Sequence, residues 1–115
     1  MVSPPKESEH RMYAFFVLYF LHEQGELSGY SLAKTIKERT RGYFSSTFGN
    51  IYPVLKNLEE KGLVEPGTPI GKRKKILYKI TPDGKITLVE LAKTFKDRFE
   101  RITLFFDKVI TDAAH

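Results

Sequence analysis

Along the last third of the chain, Leu88, Ala92, Phe95, Phe99, Ile102, Phe106, Val109 and Ala113 recur in an unbroken alternation of four- and three-residue steps. That spacing keeps every one of them on a single stripe of an α-helix, the heptad pattern of helices that pair. Thr81-Pro82 provides the start, an N-cap followed by proline at the first helical position, and the pattern predicts a helix from about Pro82 to Asp112. A helix of ~30 residues extends ~45 Å, farther than the remainder of a 115-residue chain can cover. The stripe therefore predicts a homodimer, with Leu88, Ala92, Phe95, Phe99, Ile102, Phe106 and Val109 at its interface.

The segment before it is punctuated clearly. Residues 1–8 hold adjacent prolines and no apolar period, and are expected to be a loose arm. From Glu9 to Gln24 the pattern is helical and apolar nearly all round, so that helix needs cover on both sides. A partner subunit is one source of cover, which makes Phe16 and Phe20 further interface candidates. Ser28 caps a second helix reaching about Thr40, with Leu32, Ala33 and Ile36 inward and Lys34, Lys37 and Arg41 outward or just beyond its end. Ser45, Ser46 and Thr47 offer N-caps for a third helix, which carries Ile51, Leu55 and Leu58 inward and stops at Gly62. Pro53 requires either a late start near Asn50 or a bend. Leu63-Val64-Glu65 and the stretch around Ile76, Tyr78 and Ile80 read as two strands of a hairpin, with Lys72-Arg73-Lys74-Lys75 near its tip.

The predicted order is thus helix, helix, helix, strand, basic loop, strand, long helix. It gives a mainly α fold with a small β-hairpin wing, a winged helix-turn-helix over 9–81, followed by a C-terminal dimerisation helix over 82–115. One compact domain fits this length. The 41% hydrophobic content is enough for a core.

Composition narrows the function classes. The absence of cysteine excludes disulfides, a thiol nucleophile and cysteine-ligated zinc, and suits a reducing cytoplasm. No secretory pattern opens the chain, and the longest apolar run, Met12 to Leu21, is about half of what a bilayer crossing needs, so no membrane partner is expected. His10, His22 and His115 are scattered, which argues against a metal site. Nothing resembles a Ser-His-Asp order, a glycine-rich phosphate loop or paired acids in an apolar frame, so neither enzymatic activity nor a cofactor is expected.

Net charge is +5, and Glu65 to Lys85 holds six bases against two acids, so that +4 of it sits at the hairpin. A basic wing beside a third helix with a small polar face fits double-stranded DNA. Ser46, Thr47, Gly49, Asn50, Tyr52, Pro53 and Lys56 are candidates to approach the major groove, while Lys72, Arg73, Lys74 and Lys75 are candidates for phosphates or the adjacent minor groove. Each has a plainer alternative: a solvated turn for the basic run, helix capping for Ser46, Gly49 and Asn50, and packing for Tyr52 and Tyr78. The cluster Phe95, Phe99, Phe105 and Phe106 reads as core and dimer packing before it reads as an effector pocket, because its spacing is the heptad stripe itself.

Four segments carry a resemblance to a known family: Ser28-Gly29-Tyr30-Ser31-Leu32-Ala33, Gly49-Asn50-Ile51-Tyr52-Pro53-Val54-Leu55, Leu58-Glu59-Glu60-Lys61-Gly62-Leu63-Val64, and Gly71 through Thr81-Pro82-Asp83-Gly84. Together they resemble the PadR family of transcription regulators, with the Tyr-Pro pair the most specific element. The resemblance implies a dimeric repressor built by its first and last helices, and a small aromatic or drug-like effector as a candidate partner. Asn50 stands where members often carry threonine. No tryptophan lies in the last helix, which counts against an effector stacked on one. Two rival readings stay open at this level: a winged-helix module for protein partners, and an RNA- or ligand-binding protein using its aromatic residues.

Overall fold

The computed structural model describes residues 6–44, 48–69, 71–72 and 75–114. Its elements are α1 (Lys6–Gln24), β1 (Leu27–Ser28), α2 (Gly29–Arg39), α3 (Phe48–Glu60), β2 (Val64–Pro66), β3 (Leu77–Ile80) and α4 (Pro82–Ala113). The architecture is the expected mainly helical winged helix-turn-helix with a long C-terminal helix. α1 begins at Lys6, three residues ahead of the expected Glu9. Lys6-Glu7-Ser8 contains neither glycine nor proline, so nothing in it breaks a helix started directly after the proline pair.

The sheet has three strands where a two-stranded hairpin was expected. Their order is β1-β3-β2, all antiparallel, with Leu27 opposite Tyr78, Ser28 opposite Leu77, and Val64 opposite Ile80. β1 is only two residues long, too short to show any alternation in sequence. Its last residue does double duty. Ser28 closes the strand, and its side chain accepts a hydrogen bond from the Ser31 amide at 3.1 Å as the N-cap of α2.

The core gathers around α1. Val17, Leu18 and Leu21 meet Leu32 and Ile36 of α2, Ile51 and Leu55 of α3 and Val64 of β2, all withdrawn from water. α1 packs against α2, α3, β3 and α4, so its all-round apolar surface finds much of its cover within one chain. Of the residues expected at a dimer interface, Phe20, Leu88 and Phe95 are already 2%, 8% and 5% exposed in the single chain. Phe95 sits edge-on to Phe15 at 5.8 Å, and Phe20 stacks beside Phe16 beneath the Arg39 guanidinium. Ala92 is half-buried, whereas every described residue from Lys96 to Ala114 is exposed. The heptad stripe therefore has two halves. The first lies on α1, and the second projects from a molecule 63 Å long and 27 × 26 Å across.

α3 begins at Phe48, which places Pro53 in its second turn and leaves the Gly49 carbonyl outside the helical ladder. It ends in a Schellman pattern, with the Gly62 amide bonded to the Glu59 carbonyl at 3.0 Å and Leu63 to Leu58 at 2.9 Å. The start of α4 is fastened to that ending. The Thr81 amide donates to the Leu63 carbonyl at 3.1 Å, its hydroxyl donates to the Gly62 carbonyl at 2.7 Å, and its oxygen accepts from the Gly84 amide at 3.0 Å. A Cβ on Gly84 would overlap the Leu63 carbonyl oxygen. No rotamer relieves a clash with backbone. Gly84→Ala is therefore expected to cost roughly 2–3 kcal/mol in denaturant unfolding, as overpacking does; unchanged stability would show that this joint is slack.

Candidate nucleic-acid interface

The outward face of α3 presents Tyr52, Pro53, Lys56, Glu59 and Glu60 to solvent, because Ile51, Val54, Leu55 and Leu58 turn the other face into the core. Tyr52, Pro53, Lys56 and Glu59 share an open hollow of about 530 Å³ with Tyr78 of the wing strand β3. Helix and wing thus form one surface. Tyr52 is 42% exposed. Its ring rests on Gly29, the first residue of α2, where an added Cβ would come within 3.1 Å of the ring. The body of the tyrosine sits against backbone while part of the side chain faces water.

Tyr78 is half-buried, and that burial, followed by the nearby Tyr52 phenol and Glu59 carboxylate, pushes its phenol above the ordinary value. Its hydroxyl stays protonated at neutral pH, able to donate a hydrogen bond.

The wing bases do not all stand in the same relation to the body. Lys72 is exposed. The Lys75 ammonium lies 5.4 Å from the centre of the Tyr30 ring on α2, a cation–π contact that leaves its N–H donors usable. Lys79 pairs with Glu65 across the β2–β3 ladder at 3.4 Å, so part of the hairpin's positive charge is offset on the spot. Arg73 and Lys74 lie outside the described residues, as do Ser46 and Thr47 at the approach to α3. Gly49 and Asn50 belong to the first turn of α3, and the Asn50 side chain is likewise outside the described part.

Three contributors were missed in the sequence. Glu26 accepts a hydrogen bond from the Thr68 amide at 2.8 Å, pinning the base of the wing loop to the β1 approach. Its partner lies 42 positions away, beyond any local pattern. In sequence Gly29 and Tyr30 stand out only as part of a motif, although one seats Tyr52 and the other carries Lys75. Among the described residues no group of three or more His, Asp or Glu could hold a metal, and no helix is long and apolar enough to cross a membrane.

A three-helix body, a small sheet, a wing and a solvent-facing third helix define a winged helix-turn-helix protein. The family model for the transcriptional regulator PadR-like family matches residues 17–90, and the chain belongs to that family. It is 32% identical over 93 residues to the negative transcriptional regulator PadR of Bacillus subtilis, covering 73% of this chain and 51% of that protein, so the chain spans about half the length of this curated relative. The fold is similar to a transcriptional regulator from Clostridium thermocellum, with a TM-score of 0.78 at 19% identity over 90% of this chain and 98% of that one. It is also similar to Bacillus subtilis PadR in complex with operator DNA, with a TM-score of 0.62 at 27% identity over 90% of this chain and 72% of that one.

The Glu26 tether can be tested directly. Glu26→Ala is expected to speed amide exchange at Thr68 by about tenfold while the α3 amides keep their protection, because only a local acceptor is removed. Unaltered exchange at Thr68 would mean that other contacts hold the wing loop.

Proposed function

We propose that the chain is a sequence-specific DNA-binding regulator that acts as a homodimer and represses transcription by occupying a promoter. The observation that carries the DNA-binding reading is the shared surface of α3 and the wing, where Tyr52, Pro53 and Lys56 flank the hollow closed by Tyr78. In this reading the first turn of α3, with Gly49 and Asn50, enters the major groove, with Ser46 and Thr47 just ahead of it. Lys72, Arg73, Lys74 and Lys75 grip phosphates or the neighbouring minor groove. The likeness to a negative regulator, and to a relative that binds operator DNA, supports both repression and a duplex partner. The cytoplasm is the compartment this activity requires.

The homodimer reading rests on the outer half of α4. Phe99, Ile102, Phe106 and Val109 are between 46% and 61% exposed and continue the stripe whose earlier members are buried on α1. Large apolar side chains contribute about 1.5–3 kcal/mol each when fully buried. Four from each of two chains compare favourably with an association cost on the order of 4–15 kcal/mol. Phe16 and Ala92 are half-buried, Phe16 adjoins Phe15 beside Phe95, and both join the proposed contact. A hollow of about 540 Å³ lined by Phe99, Ile102 and Phe105 is where a small aromatic effector would sit between paired helices.

Pairing fixes a geometry: two α3 helices would meet successive major grooves about 34–36 Å apart. A titration against the intergenic DNA upstream of the protein's own gene and a scrambled duplex, at two salt concentrations, tests the reading. The expected result is at least about a 10³-fold preference for the operator and a steep salt slope. Lys72→Gln with Arg73→Gln should flatten that slope by about 0.9 for each phosphate no longer neutralised. Negligible binding to both duplexes would overturn it. Pairing is tested separately by Ile102→Asp with Phe106→Asp, expected to convert a dimer into a folded monomer in sedimentation velocity; a monomeric unaltered chain at micromolar concentration would defeat the dimer.

A further inference from the structure

Six aromatic rings form an unbroken run across three parts of the molecule. Phe99 stacks beside Phe95 at 6.1 Å on α4, Phe95 meets Phe15 of α1 edge-on at 5.8 Å, and Phe15 meets Phe16 at 5.4 Å. Phe16 in turn meets Phe44 at 5.4 Å, and Phe44 meets Tyr43 at 5.0 Å. Each separation lies in the range of ring pairs in contact. Both ends of the run are open to water. Phe99 is 48% exposed, beside the hollow of about 540 Å³ on the outer half of α4, and Tyr43 is 84% exposed in the turn between α2 and α3. Burial of apolar area favours the middle of such a run and gives no reason for its exposed ends.

The second observation is how that turn is held. The Gly42 amide bonds to the Lys37 carbonyl at 2.8 Å, and the Tyr43 amide to the Thr40 carbonyl at 3.0 Å. The Thr40 hydroxyl donates to the Ile36 carbonyl at 2.7 Å, and its oxygen accepts from the Phe44 amide at 3.1 Å. Among the described residues these bonds all close within 36–44, so they stiffen the turn without tying it to α1. The Phe44 ring supplies that tie, set against Tyr13 at 5.8 Å and Phe16 at 5.4 Å. α3 begins at Phe48, four positions later. The seat of Phe44 on α1 thus constrains the end of α3 opposite to the one that Thr81 fastens.

We propose that this run couples the α4 stripe to the first turn of α3, with Phe44 as the positioning residue. A change of packing at Phe95 or Phe99, made by a second copy or by an apolar molecule lodged there, tilts Phe15 and Phe16 and shifts the α2–α3 turn. Close-packed rings pass a displacement on because none can turn without its neighbour yielding. The proposal rests on the DNA-binding reading above and adds the regulation of that same surface. It is distinct from the Thr81 joint, which acts on the far end of α3.

Backbone amide resonances of the full chain test the coupling without DNA. Phe99→Leu is expected to move the Tyr43 and Phe44 amides, and to move them about threefold less when Phe15→Leu is also present, because the two substitutions act along one contact path. Phe15→Met takes its place should Phe15→Leu fail to fold. Val109→Ala, on the same stripe but outside the run, is expected to leave both amides in place. Amides that ignore Phe99→Leu, or that move equally with and without Phe15 or with Val109→Ala, would overturn the coupling and leave the DNA-binding reading standing. Against DNA, Phe44→Leu is expected to lower the preference for the upstream intergenic duplex over the scrambled one by about tenfold at an unchanged salt slope, since it removes no charge. An unchanged preference would refute Phe44 as the positioning residue. Failure of the unaltered chain to bind any duplex removes the DNA-binding reading and, with it, the regulatory use of the run.

Discussion

The joint between the end of α3 and the start of α4 holds the molecule to one shape. Thr81 bonds to the carbonyls of Gly62 and Leu63 while its oxygen caps the Gly84 amide, and Gly84 lets the first turn of α4 lie directly on the Leu63 backbone. Between those two points the chain makes its whole excursion through β2, the wing loop and β3. Three devices are thereby referred to one spot: the exposed face of α3, the wing, and a 32-residue helix that leaves the body. Hydrogen bonds of this kind each contribute on the order of 1 kcal/mol net. Their importance lies in direction, because α4 cannot tilt without moving the turn that ends α3.

The punctuation of this fold was plain in the sequence, and its long-range pairing was not. Ser28, Gly62 and Thr81-Pro82 mark helix ends by chemistry that acts within four residues, so each could be read in place. β1 and Glu26 act across more than forty positions, on Leu77–Tyr78 and on Thr68, and neither leaves a periodic trace. The heptad stripe was legible as a stripe, but its division was invisible. Leu88 and Phe95 look like Phe99 and Phe106 in one dimension, and only the path of α1 decides which pair is buried. At the candidate interface, the wing bases and the Tyr52-Pro53 pair were evident by type and spacing. The separate commitments of Lys75 to Tyr30 and Lys79 to Glu65 needed three dimensions.

Charge is sorted as the apolar surface is. Arg39 and Glu23 tie the end of α2 to the end of α1, and the hydrogen bond from Arg39 holds the Glu23 carboxyl below its ordinary value. Both groups are solvated, so the pair orients more than it stabilises. Along the outer half of α4, Lys96–Glu100, Arg101–Asp97 and Lys108–Asp112 pair within the helix, supporting it where no tertiary contact does. Lys34, Lys37 and Arg41 on α2, Lys56 on α3 and Lys72 in the wing are exposed and stand outside these pairs.

The rigid joint gives the projecting helix leverage. From Gly84 to Leu104 is twenty residues, or ~30 Å of helix. If two copies pair over the outer half, a change of about 10° in their crossing angle shifts the two joints relative to each other by about 5 Å over that lever. That exceeds the ~3.4 Å rise between base pairs. Because α3 is fastened to the joint, the displacement passes to its exposed face, and under the proposed function two such faces would fall out of register with a fixed operator. Small changes in packing among Phe99, Ile102 and Phe106 would then govern how far apart the two reading heads stand. An apolar molecule lodged among those side chains needs no contact with the wing or with α3 to alter what they reach.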